Sequence, residues 1–241
     1  MANLNKLKLW YERLDVSTFC RLILLDFVRY LFLRNGRFYF SQGGEDIHCL
    51  QLLKGKKNGF YIEVGSNHPV IFSNTFKLYL EGWKGILIDG NPELIELSRR
   101  IRKADICLNE IISNQSGEVE FSLTPDSLYS HIRTGTEIPD AGSRERILKK
   151  QTTTLTEILD HYLEKGQVID LLSIDTEGHD LAVINSLNLE KYRPSFIVLE
   201  DLGLIQHGEA DEKIVASLSK WNYILILKDA QNLYFMNKSN K

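Results

Sequence analysis

Four ionisable side chains stand close together in one short segment, at Asp175, Glu177, His179 and Asp180. They follow residues 167–174, the most hydrophobic run of the chain and a predicted buried strand. Ligands of open α/β sheets bind beyond the carboxyl ends of the strands. We therefore expect this segment to face a ligand, although a capped turn in solvent would also place charges here.

Acidic residues also end two earlier predicted strands. Glu63 precedes Gly65, whose missing side chain would let the backbone approach a ligand, and its carboxylate could accept hydrogen bonds from a cationic amino group. Asp89 occupies the position at which nucleotide-binding sheets place a carboxylate that accepts from both ribose hydroxyls. The alternative role for Asp89 is to cap the helix that begins at Pro92.

Predicted strands and helices alternate along the chain and would carry these residues to one edge of a sheet. The predicted strands are 60–64, 85–89, 105–112, 118–123, 167–174 and 195–199, the predicted helices are 74–81, 92–103, 154–165, 179–187 and 211–220, and a closing hairpin is predicted at 223–227 and 233–236. Because the strands are almost continuously apolar, the pattern favours a mostly parallel sheet with helices on both faces and an antiparallel C-terminal hairpin. Asn109 and Glu110 would then meet an adenine edge or a ribose at the third strand.

The composition is that of an ordinary globular protein and favours one α/β domain. The 241 residues are 43% hydrophobic and 25% charged. The net charge of −3 gives no reason to expect a nucleic acid partner. The three cysteines are far apart and form no CxxC pair, so we expect a reducing, cytoplasmic setting rather than a disulfide framework or a structural zinc site.

Residues 1–40 are predicted to form a helical extension before a single domain at 41–241. Apolar residues such as Phe19, Leu22 and Phe27 recur at helical spacing. Interspersed charges argue against a membrane span, and no signal peptide is expected. We expect this helix to pack on the domain, to form a homodimer contact or to make a peripheral contact with a membrane.

Residues 124–150 interrupt the alternation. The segment is polar, contains two prolines and two glycines, and has no strong period before 144–150. Long loops inside compact domains are commonly functional, so 124–150 is predicted to form a substrate loop or cap. The basic residues of 99–103 and 144–150 are expected on solvated helix faces.

Short motifs in a fixed order give the chain a resemblance to the FkbM family of methyltransferases over roughly Ser41 to Leu202. They are Ser41-Gln42-Gly43-Gly44-Glu45-Asp46, Glu63-Val64-Gly65-Ser66-Asn67, Ser73-Asn74-Thr75, Gly82-Trp83-Lys84-Gly85, Asp89-Gly90-Asn91-Pro92 and Ile174-Asp175-Thr176-Glu177-Gly178-His179. The last of these is the most specific, because it is similar to the family's Ile-Asp-Val-Glu-Gly signature.

The resemblance implies a Rossmann-like class I methyltransferase fold with a seven-stranded sheet and S-adenosylmethionine as cofactor. It also implies methyl transfer to a hydroxyl of a small-molecule or glycan acceptor, such as a sugar or a natural product. The implied cofactor contacts are Gln42, Glu63, Gly65, Ser66, Asn67, Asn74, Asp89, Asn109, Glu110 and Asp175. The chain departs from the family at Glu63, where aspartate is frequent, and at Pro69, which replaces a glycine. Proline lacks an amide donor, so this loop is expected to contact the methionine end differently.

Asp175, Glu177 and His179 are the expected catalytic residues. The cofactor's methyl group is already activated, so the main task is in-line positioning, and Asp175 sits where that group should point. A hydroxyl acceptor also loses a proton, which His179 or Glu177 is expected to take; the alternative is that His179 only caps or packs the next helix. The three residues could also hold a divalent metal, but hard cations favour oxygen ligands from several segments, so no metal is predicted.

The sequence leaves two other function classes open. A nicotinamide-dependent Rossmann oxidoreductase would also use Asp89 on a ribose, but it needs a glycine-rich phosphate cradle after the first strand. Residues 66–69 offer no second or third glycine. A non-catalytic binding domain on a methyltransferase scaffold is the other alternative, and the intact acidic residues at 89, 175 and 177 argue against it.

Overall fold

Helices and strands alternate along most of the chain, as the sequence predicts. The computed structural model describes residues 4–32, 39–53, 55–124, 129–133 and 145–240. The helices are α1 (Leu4–Arg13), α2 (Val16–Phe32), α3 (Glu45–Leu52), α4 (Phe76–Leu80), α5 (Pro92–Ile101), α6 (Leu155–Tyr162), α7 (Asp180–Ser186), α8 (Leu202–His207) and α9 (Glu212–Ser219). The strands are β1 (Phe60–Val64), β2 (Lys84–Ile88), β3 (Ile106–Leu108), β4 (Ile111–Ile112), β5 (Gly117–Leu123), β6 (His131–Ile132), β7 (Arg146–Thr153), β8 (Leu171–Ile174), β9 (Phe196–Glu200), β10 (Tyr223–Lys228) and β11 (Asn232–Asn237).

A seven-stranded sheet forms the centre of the fold, in the order β10–β11–β9–β8–β1–β2–β3. The strands β3, β2, β1, β8 and β9 pair in parallel. The strand β11 pairs antiparallel with β10 in the predicted C-terminal hairpin, and it also pairs antiparallel with β9. The α/β class is therefore confirmed, and the sheet is mixed.

The side chains of each strand point alternately to the two faces of the sheet, so a continuously apolar strand makes both faces apolar. Helices cover both of these faces. Phe60, Ile62 and Val64 of β1 belong to one apolar cluster, which also contains residues of α6, α7 and α9. Tyr61 of β1 belongs to a second cluster with residues of α1, α3, α4 and α5. Every residue of β1 is buried, as expected for a central strand with both faces covered.

A second sheet, in the order β4–β7–β5–β6, corrects two predictions. Residues 105–112 do not form one strand, because β3 pairs in the central sheet and β4 in the second. Residues 146–150 do not form the helix face that was predicted for 144–150, because they belong to β7, which pairs antiparallel with β5. Basic Lys149 of β7 lies opposite Glu120 of β5, and opposite charges on paired strands favour this arrangement. Much of the predicted substrate loop, 125–128 and 134–144, lies outside the described residues.

The helix α1 is joined to the domain by apolar packing. Trp10 and Leu14 are buried in the cluster beneath α4, and Trp10 Nε1 donates a hydrogen bond to the Leu80 carbonyl oxygen at 3.0 Å. Leu25 and Phe27 of α2 are exposed. Among the described helices, none has the length and apolar character needed to cross a bilayer.

Candidate active site

A cleft of about 390 Å³ opens beyond the carboxyl ends of the central parallel strands. Its wall includes residues that end four neighbouring strands or directly follow them, namely Val64, Gly65, Ile88, Asp89, Asp175 and Glu200. Residues 129–132 and Phe121 also line it, so the second sheet contributes to the same space. Asp89 and Asp175 thus share one cleft, as the sequence predicts for a ligand site at this edge.

The turn after β1 passes against the segment after β8 with no room for a side chain. Gly65 has a φ of +77°, and a Cβ on it would lie 1.6 Å from the carbonyl oxygen of Asp175. The Gly65 amide donates to the Ile88 carbonyl oxygen at 2.9 Å, which ties the turn to β2 as well. A glycine is required here because three chain segments converge at the floor of the cleft.

Asp89 connects the turns that follow β1 and β2. Its Oδ2 accepts from the Asn67 amide at 2.8 Å, and its Oδ1 accepts from the Asn91 amide at 2.7 Å. The N-cap of α5 is Asn91, whose Oδ1 accepts from the Glu93 amide, so Asp89 is not the cap of this helix. Burial raises the pKa of Asp89. Each of its oxygens keeps lone-pair capacity that could accept from a ligand hydroxyl.

Glu63 does not lie in the cleft, and its position argues against the expected contact with a cationic amino group. It is 3% exposed and points beneath α4, where it accepts from Thr75 Oγ1 at 2.6 Å and from the Asn74 amide at 2.9 Å. Burial raises the pKa of Glu63, and the nearby Arg102 guanidinium opposes that effect. Its carboxylate therefore holds the start of α4 in place.

Arg102 is the residue that makes this buried arrangement possible, and the sequence reading missed it by treating 99–103 as solvated. Its side chain is fully buried and donates to Asp105 at 2.8 Å, to Tyr61 Oη at 2.7 Å and to Thr75 Oγ1 at 2.9 Å. A charge of this kind is tolerated in the interior only when it is paired and hydrogen-bonded.

The other residues expected at the cofactor divide into two groups. Gln42, Asn67, Asn74 and Glu110 line the cleft together with Gly65, Asp89 and Asp175. Ser66 and Asn109 do not line it. Asn109 instead donates through Nδ2 to the Asp89 carbonyl oxygen at 2.9 Å and accepts from Lys150 Nζ, so it supports the wall from behind.

Three carboxylates converge at one end of the cleft. Asp175, Glu177 and Glu200 each place an oxygen within 4.8 Å of the others. Burial, followed by the charge of Glu200, raises the pKa of Asp175, and burial also raises the pKa of Glu200 and of Glu177. Sequence reasoning missed Glu200, although its place at the end of β9 was the signal that could have revealed it.

Asp180 and His179 shape the turn that carries this cluster. Asp180 is buried and accepts from the amides of Thr176 and Gly178, both at 3.2 Å, and burial raises its pKa to about 6. His179 lines the cleft, and its Nε2 lies 3.0 Å from Ser113 Oγ. Burial lowers the pKa of His179, so the ring is neutral at pH 7 and able to take a proton.

Glu45 is a further acidic wall residue that sequence reasoning did not select. It is 3% exposed, and its Oε1 accepts from Asn232 Nδ2 at 2.9 Å. The described lining residues thus include six carboxylates, of Glu45, Asp89, Glu110, Asp175, Glu177 and Glu200, and contain no lysine or arginine. The cleft is built to favour a ligand that carries positive charge.

Comparison with known proteins agrees with this arrangement. The sequence model described as the methyltransferase FkbM domain matches residues 63–225, which is more than half of the chain. The match includes Glu63-Val64-Gly65, Asp89 and the Asp175–Glu177 segment, and it begins after the Ser41–Asp46 motif. A search of curated proteins gives no significant match. The chain therefore belongs to the FkbM methyltransferase family.

Proposed function

We propose that the protein transfers the methyl group of S-adenosylmethionine to a hydroxyl group of a sugar, a glycan or a natural product. The observation that carries this proposal is the single cleft that Asp89 and Asp175 share, at the carboxyl ends of neighbouring parallel strands. The residues on its floor, Gly65 and Asn67, come from the turn after β1.

The charge of the cleft supports a sulfonium cofactor over a dinucleotide. S-adenosylmethionine carries a positive sulfonium and a positive ammonium group, which the six carboxylates of the described wall would attract. A nicotinamide dinucleotide carries a diphosphate, and this wall would repel it. The antiparallel strand β11 beside β9 also separates the sheet from a plain dinucleotide-binding fold.

Each strand end has a separate role in holding this cofactor. Asp89 is placed to accept hydrogen bonds from the two ribose hydroxyls, since its carboxylate is already fixed by two backbone amides. Gln42 and Asn74 line the same cleft and offer amide groups to the amino acid end. Asp175 lies where the segment after β8 comes closest to the turn after β1, and its charge would orient a sulfonium there.

The reaction needs a base beside the acceptor. The bound cofactor supplies an activated methyl group, whose carbon–sulfur bond breaks as the carbon–oxygen bond forms. The acceptor hydroxyl passes its proton to Glu177 or to neutral His179, both of which line the cleft. Because Nε2 of His179 is engaged by Ser113 Oγ, Nδ1 is the nitrogen we assign to the acceptor. Residues 129–132 and Phe121 would form the acceptor side of the cleft.

Calorimetry on the purified full chain tests the cofactor directly. We expect S-adenosylmethionine and its homocysteine product to bind in the micromolar range, and NAD to bind far more weakly or not at all. The acceptor is then sought by methyl transfer from labelled cofactor to nucleotide sugars and glycans. Binding of NAD with no binding of either sulfur compound would overturn the proposal in favour of an oxidoreductase.

We also propose, separately from the reaction, that the N-terminal helix makes a homodimer contact or a membrane contact. The exposed apolar side chains Leu24, Leu25 and Phe27 of α2 favour it. Sedimentation of the full chain with and without vesicles of anionic lipid would decide between the two contacts, and a monomer that ignores vesicles would remove both.

A further inference from the structure

The carboxylates of Asp175, Glu177 and Glu200 lie close together, and most of the charges that act on them are negative. Among the residues that the structure describes, no lysine or arginine pairs with any of the three. The acidic groups of Glu45 and Asp180 add to the repulsion, and the charge of His131 offsets it in part at Glu177. Coulomb repulsion at these distances is large inside a protein, so the group requires a proton or a cation.

Glu200 gives a second indication that something is bound here. It is 9% exposed, and its Oε2 is buried with no hydrogen-bond partner among the described residues. A buried carboxylate oxygen without a partner is costly, and such atoms are found where a ligand supplies the missing contact. By contrast, both carboxylate oxygens of neighbouring Asp201 have hydrogen-bond partners, because they accept from the amides of Gly203 and Asp211.

We propose that Asp175, Glu177 and Glu200 bind a divalent cation of the hard class, magnesium or manganese, in the methyl-transfer cleft. Their oxygens lie within 4.8 Å of one another, so small rotations of the side chains would bring all three to the roughly 2.0–2.1 Å at which magnesium binds oxygen. The ligands are all carboxylates and come from two strand ends, β8 and β9. Glu200 thus replaces His179 in the ligand set that the sequence suggested. With Glu177 bound to the ion, His179 is the group left to act as the base.

The ion would act on the acceptor, which goes beyond the proposed cofactor chemistry. Three carboxylates leave coordination positions open on an octahedral ion. Two neighbouring oxygens of a hydroxylated acceptor could fill them, and an oxygen bound to the ion loses its proton more readily. The acceptor class that fits is therefore a compound with two adjacent oxygens, such as a sugar diol.

A manganese titration tests the site without any need for turnover. The full chain is first freed of metal with a chelator and desalted. The signal of free manganese in electron paramagnetic resonance reports how much is bound. We expect one ion to bind the unaltered protein and the affinity to fall at least tenfold in Glu200→Gln. The control is Glu164→Gln, the same change at an exposed position on the chain, where affinity should be unchanged.

A second variant of the cluster is needed because Glu200→Gln could lose metal binding through misfolding alone. Asp175→Asn should show the same loss of affinity, and thermal melting identifies any variant that does not fold. Absence of manganese binding at millimolar concentration, or equal affinity in both cluster variants and the unaltered protein, overturns the inference. A protein that binds manganese but not S-adenosylmethionine would overturn the proposed function and leave the metal site standing.

Discussion

Under the proposed function, the carboxylate of Asp89 serves both the fold and the ligand. Its two oxygens are fixed by the amides of Asn67 and Asn91, which leaves the side chain no freedom to lose when a ribose binds. A carboxylate that is held in place in this way binds more tightly than a mobile one, because the entropy of ordering it is already spent in folding.

Replacement of Asp89 by alanine should weaken S-adenosylmethionine binding about tenfold or more. A hydrogen bond to a charged group contributes about 1.5–3 kcal/mol, and two ribose contacts would be lost. Calorimetry measures the change, with Asp160→Ala on the exposed face of α6 as the control. Unchanged affinity in Asp89→Ala would remove the ribose role.

His179→Ala and Glu177→Gln identify the base. Whichever variant removes it should show a kcat lower by about 10²-fold or more, and cofactor affinity should stay nearly intact in both. Because burial lowers the pKa of His179, the acidic fall in kcat should lie below about pH 6.5 if His179 is the base. His161→Ala, at an exposed histidine of α6, is the control. Full activity in both variants would exclude the two residues as bases.

At the scale of elements, the cleft depends on how closely the segments after β1, β2 and β8 approach each other. The Gly65 turn is bonded to β2 and passes directly against Asp175, so these loops form one unit. On the other side of β1, Arg102 and Glu63 hold the start of α4. Arg102 and Glu63 therefore support the cleft without lining it.

Replacement of Gly65 by alanine should lower the free energy of unfolding by more than about 2 kcal/mol, because steric overlap adds to the backbone strain, and should abolish cofactor binding. The added Cβ would lie 1.6 Å from the Asp175 carbonyl oxygen, so the two loops must separate. Gly166→Ala is a matched control, since it has a similar φ of +82° with open space around it, and strain alone should cost about 1 kcal/mol. Urea unfolding measures both values, and equal losses would show that the close contact has no special importance.

At the scale of the whole molecule, acidic residues gather in one place although the net charge is only −3. The strands bring together carboxylates that are far apart in the chain, such as Glu45 and Glu200. Folding therefore concentrates negative charge, and protons or cations must compensate for it.

The free energy of unfolding should consequently fall as the pH rises through the range from about 4 to about 7, when measured with a chelator present. The pKa of Glu200 is raised to about 7 and that of Asp180 to about 6, so the folded protein binds more protons than the unfolded chain in this range. In Glu200→Gln the slope should be smaller, whereas Glu164→Gln should keep it. An equal slope in Glu200→Gln would show that this carboxyl is not perturbed.

The strands of the central sheet, most of the helices that cover it, the antiparallel C-terminal hairpin and the motifs at the strand ends were readable from the sequence, whereas α3 and α8 were not predicted. Each depends on local patterns, such as apolar runs, the proline at Pro92 and the glycine at Gly65. The helix prediction for 144–150 was wrong at 146–150, because these residues pair with β5, a strand from elsewhere in the chain, where Lys149 lies opposite Glu120.

Only the tertiary structure decided which polar residues face the cleft. Glu63 and Glu200 both stand near the ends of buried strands, yet Glu63 points beneath α4 to the side of Arg102 and Glu200 points to the cleft. The contact of His179 with Ser113 and that of Glu45 with Asn232 join residues that are distant in sequence. Local sequence determines where a side chain sits along its strand, but the packing of other elements determines what that side chain meets.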